Sequence, residues 1–396
     1  MSEFPCVIIT GADTPTGLTT ARALRGLPVT VSGIFQNRDT PSIQSRHWDR
    51  VLYLPGSPDE QLDTLIKKAE GAEFPGRPLL LFSQDSHVIS AWARLEELDQ
   101  YFTVPIPPQM EGEIMMDKTL FHQWALENGV DVPRSEIVTR LESLIGLAAE
   151  LSFPCILKPL VRTSAWDSVH KNQKFFLLSS EKELHELVRS ADPFRLSDRF
   201  ILQEWIPGGD TEVFFVLFAF DENGVLLAEY AGQKVWQWPP LGGSTAVCRL
   251  IEEPQLVSLA RTIAIRLKMT GLGSIEFKRD TRTGKFLVTE PTVGRNDYQS
   301  GVALNYENNP TAALVRKWLG LDEVGGSALK TKVNCIWVDE LSAYRYAKSM
   351  GLLKASIQLI RTLGFFRHFQ FMYFDWRDTK PFRAHLKKAL SRKYRI

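Results

Sequence analysis

Gly271-Leu272-Gly273-Ser274-Ile275-Glu276-Phe277-Lys278-Arg279-Asp280 and Lys285-Phe286-Leu287-Val288-Thr289-Glu290-Pro291 are two strand-like stretches, joined by Thr281-Arg282-Thr283-Gly284. The joining residues have turn chemistry, so the whole reads as a β-hairpin. A hairpin of this length sets Glu276 and Glu290 side by side on adjacent strands. Two hard oxygen donors placed in that way suit Mg²⁺ held together with phosphate groups.

Upstream of the hairpin, strands and helices alternate. Cys6 to Thr10, Val29 to Ile34, Val51 to Leu54 and Leu79 to Ser83 read as strands, with helices over Leu18 to Leu27 and Leu62 to Ala69. Such alternation predicts a parallel, doubly wound sheet. The run Thr103-Val104-Pro105-Ile106-Pro107-Pro108 closes this unit as a stiff linker. Two α+β lobes follow. The expected boundaries are 1–112 for the N-terminal unit, 113–195 and 196–325 for the lobes, and 326–396 for an aromatic and basic extension.

A chain of 396 residues exceeds one simple core. Its 44% hydrophobic and 23% charged residues are those of an ordinary globular protein. With 47 Lys and Arg against 46 Asp and Glu, no global charge argues for nucleic-acid binding. Cys6, Cys155, Cys248 and Cys335 lie in separate apolar runs without a C-x-x-C pair. Buried thiols in a reducing cytoplasm are therefore expected, and zinc is not. No leader is expected before the strand at Val7, and no apolar run approaches the ~20 residues that cross a bilayer.

Several segments carry chemistry. The turn Thr10-Gly11-Ala12-Asp13-Thr14-Pro15-Thr16-Gly17 departs from the dinucleotide pattern at Ala12-Asp13, and no acid follows Ile34. It reads as a structural turn or as a site for an anionic group of a second substrate. Lys158 ends an apolar strand, where an ammonium needs a partner such as phosphate. Lys118 lies just before a helix expected from Leu120 to Asn128. The polar loop from Arg162 to Lys171 is placed to fold over phosphates. Gln203-Glu204-Trp205-Ile206-Pro207-Gly208-Gly209-Asp210-Thr211-Glu212 suits a purine: backbone at the strand exit for the base edge, Trp205 and Ile206 for its face, and a carboxylate for ribose. Gly232 to Ser244 reads as a substrate-facing loop containing Lys234. Arg295, beside two carboxylates, suits a phosphoryl group or a substrate carboxylate.

The order of these segments resembles the ATP-grasp superfamily, and within it the carboxylate–amine ligases of the D-aspartate ligase-like kind. The resemblance covers about residues 5 to 320 and rests on Asp117-Lys118, Ile156-Leu157-Lys158-Pro159, the stretch from Gln203 to Glu212, Gly273-x-x-Glu276-Phe277, and Glu290 with Gly294-Arg295. It implies a two-lobed nucleotide-grasping fold behind the N-terminal sheet, with ATP and Mg²⁺ (or Mn²⁺) as cofactors. By it, Lys118 and Lys158 touch phosphates, Gln203, Glu204, Trp205 and Ile206 lie at the base, and Glu212, or Asp210, lies at the ribose. Glu276 and Glu290 hold metal, while Lys234 and Arg295 are the catalytic candidates. The family usually has Asn two residues after the second metal glutamate. Thr292 stands there in this chain, and Asn296 is the substitute metal ligand.

The implied reaction activates a small carboxylate as an acyl phosphate, which an amine attacks to form an amide, with release of ADP and phosphate. Alternatives are another ligase of this superfamily, forming a carboxyl, thiol or ester product, and a nucleotide-binding protein without turnover. Expected partners are small carboxylates and amines, with self-association left open. From Lys380 onward the tail is basic without an acid. It reads either as a segment docked on the body, since similar Asp-Trp-Arg-Asp stretches close some of these ligases, or as a contact to an anionic membrane surface.

Overall fold

The computed structural model describes residues 4–140, 143–148, 151–160, 166, 169, 175–190, 199–306, 309–321, 335–363 and 368–391. The polar loop from Arg162 to Lys171 lies outside the described residues, apart from Trp166 and Val169.

The N-terminal strands β1 (Cys6–Ile9), β2 (Thr30–Phe35), β3 (Arg50–Tyr53) and β4 (Leu79–Leu81) form a parallel sheet in the order β3-β2-β1-β4. β1 and β4 are buried throughout, as a sheet covered on both faces requires. The helices Pro15–Ala23 and Pro58–Glu70 start under side-chain caps from Thr14 and Ser57, each with Pro in the first turn. Residues 103–108, expected as a stiff linker, pack into the core. Thr103 bridges Leu79 at the edge of this sheet, and Val104 and Ile106 are buried. Gly271 makes that close approach achievable. It has φ +81, and a Cβ there would lie 1.9 Å from the Pro105 carbonyl oxygen.

The smaller lobe is an antiparallel sheet of β5 (Ser135–Val138), β6 (Cys155–Pro159), β7 (Phe176–Leu178) and β8 (Phe200–Glu204), ordered β5-β8-β6-β7. Its core gathers Trp166, Phe200, Leu157, Leu184 and Val138.

The larger sheet holds β9 (Val213–Phe220), β10 (Leu226–Trp238), β11 (Ser244–Ile251), β12 (Gly271–Arg279), β13 (Phe286–Val293), β14 (Cys335–Val338) and β15 (His368–Phe371). Its order is β13-β12-β9-β10-β11-β14-β15. β9 is buried at every position and runs through the middle of the sheet. The helix Pro254–Arg266 packs on it through Leu256, Ala260, Ile263 and Ala264. Pro291 is tolerated within β13 because this strand lies at the sheet edge.

One expectation is corrected by this sheet. Residues 232–244 are mostly strand rather than loop: β10 continues to Trp238, because Val235 and Trp236 are buried and Trp236 stacks on Tyr346 at 4.8 Å. The extension adds β14 and β15 to the sheet. It is also tied to the N-terminal unit. Arg22 donates to the carbonyls of Met372 (3.0 Å) and Tyr373 (2.8 Å) and pairs with Asp378. Asp378 further accepts from Ser45 Oγ at 2.6 Å and Arg46 N at 3.1 Å. Burial outweighs these partners and lowers the Arg22 pKa, so the pair fixes geometry at a desolvation cost.

All four cysteines are free and buried.

Candidate active site

β12 and β13 place Glu276 directly opposite Glu290 in the strand register. A bulge follows: Phe277 pairs with Val288, which leaves Thr289 as the extra residue. Thr289 Oγ1 donates to Glu276 Oε1 at 3.1 Å. The other oxygen of Glu276 lies 2.5 Å from Lys234 Nζ, which comes from β10. Lys234 is buried. Burial opposes its charge, but Glu276, and more distantly Asp297 and Glu290, raise its pKa above the ordinary lysine value. Glu290 is exposed to the cleft.

The opposite wall comes from the smaller lobe and the helix Lys118–Glu127. Asp117 caps that helix by accepting from the amides of Thr119 and Leu120, so Lys118 sits at its first position. Lys158 on β6 donates to Gln203 Oε1 at 3.2 Å, and Gln203 Nε2 donates to Ser135 Oγ at 2.9 Å. Gln203 thus presents its carbonyl to the lysine and its amide nitrogen to the serine. Glu204 accepts from Ser152 N at 2.9 Å. Trp205 and Ile206 continue the wall.

Between the walls lies a cavity of about 380 Å³ whose lining includes Lys118, Lys158, Gln203, Glu204, Trp205, Ile206, Lys234, Glu276 and Glu290. A second cavity of about 290 Å³ shares Lys118, Lys158, Gln203 and Glu290 and extends to Arg295 and Asp85. Arg295 pairs with Asp85 of the N-terminal unit through Nε (2.5 Å) and Nη2 (3.1 Å). Burial opposes the guanidinium charge, and Asp85, with Asp297 and Glu290, more than offsets it. Nine of the twelve residues expected at the site therefore share one cavity, and a tenth, Arg295, lines its neighbour.

Two do not. Asn296 is turned away from the cleft: its Nδ2 donates to Thr20 and Thr311, and Thr311 donates back to its Oδ1. Gly294, at φ +70, reverses the chain so that Arg295 reaches Asp85 while Asn296 enters the interface behind the sheet. The expectation of Asn296 as a metal ligand is therefore corrected. Glu212 is outside the cavity lining and accepts from Arg279 Nε at 2.8 Å. Its alternative, Asp210, is buried and accepts from Gln237 N, Gln237 Nε2 and Leu241 N, which sets it as a brace for the β10–β11 turn.

Two cavity residues escaped the sequence reading. Asp297 accepts from Ser274 Oγ at 2.6 Å, and loss of water around it raises its carboxyl pKa against that bond. Lys278 is buried with Nζ 3.8 Å from the Trp205 ring centroid, and desolvation lowers its pKa to about 8. Strand alternation contained the signal for Lys278: Ser274, Glu276 and Lys278 recur at period two on one face of β12. Asp297 lies in a loop and has no periodic signal.

No protein-family model matches the sequence. Solved structures are similar over most of the chain. The ADP complex of PurK, N5-carboxyaminoimidazole ribonucleotide synthetase, matches with TM-score 0.60 at 16% identity, covering 79% of this chain and 76% of that one. The biotin carboxylase domain of the Hydrogenobacter thermophilus 2-oxoglutarate carboxylase, in complex with MgADP, ADP and bicarbonate, matches with TM-score 0.62 at 16% identity, covering 85% and 74%. Campylobacter jejuni biotin carboxylase in an ATP complex gives TM-score 0.62 at 15% identity, covering 84% and 74%. The chain thus shares the fold of these solved structures, with a parallel N-terminal sheet and a large antiparallel sheet.

Proposed function

We propose that this chain is an ATP-dependent ligase that joins a small carboxylate to an amine through an acyl phosphate. One observation carries the reading: Glu276 and Glu290 are paired in register on one wall of a cavity whose other wall holds Lys118 and Lys158. The nucleotide-bound states of the similar solved structures support a nucleotide in that cavity.

Charge is the main physical obstacle, because a carboxylate must approach a polyphosphate. Lys118 and Lys158 offset the phosphate charge from one side, and Lys234, held by Glu276, does so from the other. Glu276 and Glu290 would hold Mg²⁺ (or Mn²⁺), which when bound neutralises phosphate oxygens and spreads the charge of the transferring group. The donor set fits that role. Among the described residues no cluster of three or more His, Cys, Asp or Glu is gathered for a metal, and Mg²⁺ shared with phosphates asks for only one or two carboxylates. Trp205 and Ile206 offer an apolar face to a base, beside Gln203 and Glu204. Arg295, oriented by Asp85, binds the substrate carboxylate in the second cavity.

In the first step a carboxylate oxygen attacks the γ-phosphorus and ADP leaves. In the second, the amine nitrogen attacks the acyl carbon, phosphate leaves and the nitrogen loses a proton. The acyl phosphate must be kept from water, which is the purpose of enclosing it between two lobes.

An ADP-release screen over paired small carboxylates and amines, with Mg²⁺ present, tests this reading. Release that requires both substrates and yields an amide supports it. Release with bicarbonate as the sole carboxylate would move the assignment to carboxylation. Absence of ATP binding in the same preparations would end the ligase reading.

A further inference from the structure

The large apolar side chains reached by solvent are unevenly distributed. Among the described residues 22 are exposed, and ten of these lie between Tyr344 and Leu390, although that segment is a small part of the chain. The helix Leu352–Leu363 packs inward through Ala355 and Leu359. It turns Leu353, Ile357 and Ile360 outward, at 76%, 43% and 67% exposure. Spacing of four and three residues makes these a single stripe, and Lys354 beside it is exposed. The helix Lys380–Leu390 has the same arrangement, with Leu386 and Leu390 exposed next to exposed Arg383 and Lys387. Between them Trp376 is 72% exposed, with the Arg377 guanidinium 4.6 Å from its ring centroid.

Charge is polarised in the same place. From Leu341 to Ile396 there are 13 Lys and Arg and only two acids, Asp375 and Asp378. Both acids are already paired, with Arg25 at 3.2 Å and Arg22 at 3.3 Å. This segment carries +11 and the 340 residues before it −10, which together give the chain's +1. A near-neutral chain therefore has one strongly cationic end, where its exposed apolar residues also concentrate.

We propose that the C-terminal extension is a docking surface for an anionic lipid bilayer. Leu and Ile stripes flanked by Lys and Arg sink a short way into the headgroup region, while the cations reach lipid phosphates and carboxylates. The apolar residues are distributed over two helices, β15 and the turn at Trp376, an arrangement that a fluid surface accommodates without a matching groove. Among the described residues no helix is long and apolar enough to cross a membrane, so the contact is interfacial. The extension is also held rigidly to the body by β14, β15 and Arg22, which presents the surface without an ordering cost. This inference does not depend on the ligase reading.

Co-sedimentation of the full chain with phosphatidylcholine vesicles, with and without about one-third phosphatidylserine, tests it. Binding is expected only to the anionic vesicles, weakening as salt shortens the screening length. Leu353→Glu with Ile360→Glu should abolish binding. Arg383→Ala with Lys387→Ala should weaken it about 25-fold, roughly fivefold per cation. Ile265→Glu, an exposed apolar position on the helix Pro254–Arg266, should leave binding unchanged. All of these side chains are at the surface, and matched thermal melts verify that each variant folds. Equal binding to neutral vesicles, no binding at all, or full binding by the Leu353/Ile360 variant overturns the proposal. Self-association of the full chain that the Leu353/Ile360 variant loses, without vesicle binding, would assign the face to a second copy and also overturn it.

Discussion

Lys234 Nζ on β10 lies 2.5 Å from Glu276 Oε2 on β12, two strands away across β9. The lysine is almost wholly buried, while the glutamate keeps 24% of its side-chain exposure towards the cleft. A partner is essential for an ammonium so placed, because an unpaired buried charge is costly.

Lys234→Met leaves Glu276 facing the cleft without its cation. ADP release with both substrates is expected to fall by about 100- to 1,000-fold, the scale seen when a preorganised charge is removed from a reacting site. Because Glu276 remains partly solvated, the stability loss should be only about 1–3 kcal/mol, below the range for a fully buried pair. Steady-state ADP release and urea melts measure the two effects separately. Wild-type turnover in a folded variant would remove Lys234 from the mechanism.

Glu290→Gln tests the metal-holding role with little effect on the fold, because the side chain is exposed. The expected result is a loss of at least about 100-fold in ADP release, with a melting temperature close to that of the parent. Chelation of divalent ions should reproduce the loss in the parent protein and add nothing in the variant.

Lys278 provides a pH signature in stability. Desolvation lowers its folded-state pKa from 10.5 to about 8. Between about pH 8 and 10.5 the unfolded chain therefore holds more protons at this residue, and its contribution to stability rises with pH across that window. Below pH 8 the folded state bears the full cost of a buried ammonium, on the order of 3 kcal/mol for a shift of this size and partly offset by the Trp205 ring. Lys278→Met is expected to be the more stable protein at pH 7, with the gap closing towards pH 10.5. Urea titrations at pH 7, 8.5 and 10 measure it, and a gap that widens with pH would contradict the assignment.

Gly271→Ala tests the contact between the N-terminal unit and the large sheet. The new methyl carbon would lie 1.9 Å from the Pro105 carbonyl oxygen at a φ of +81. Backbone strain and overpacking together should cost roughly 2–4 kcal/mol. Thermal unfolding reads the loss, and an unchanged melting temperature would mean that residues 103–108 can move away from the sheet freely.

Much of the site was legible because its signals are local. The Glu276–Glu290 hairpin follows from two alternating stretches and a four-residue turn, and the observed register pairs the two acids directly. Lys158 was marked by its place at the end of an apolar strand, and it lies in the cavity. Asn296 is expected only as a substitute for the asparagine that family spacing puts at Thr292, and the path after Gly294 turns it instead to Thr20 and Thr311, which are distant in sequence. The stretch 232–244 reads as a loop from its polar, aromatic and glycine content. What extends β10 to Trp238 is the burial of Trp236 against Tyr346, more than a hundred residues on.

By itself, then, the sequence determined the alternation of strands and helices, the acidic hairpin, the lysines at element ends and a cationic tail. Periodicity, turn residues and capping act within a few residues, so they can be read along the chain. Only the tertiary structure decided that Lys234 pairs with Glu276, that Lys278 is buried over Trp205, that Glu212 is taken by Arg279, and that the extension completes the large sheet. Those outcomes depend on which surfaces exclude water from one another, and desolvation acts between residues that only folding brings together.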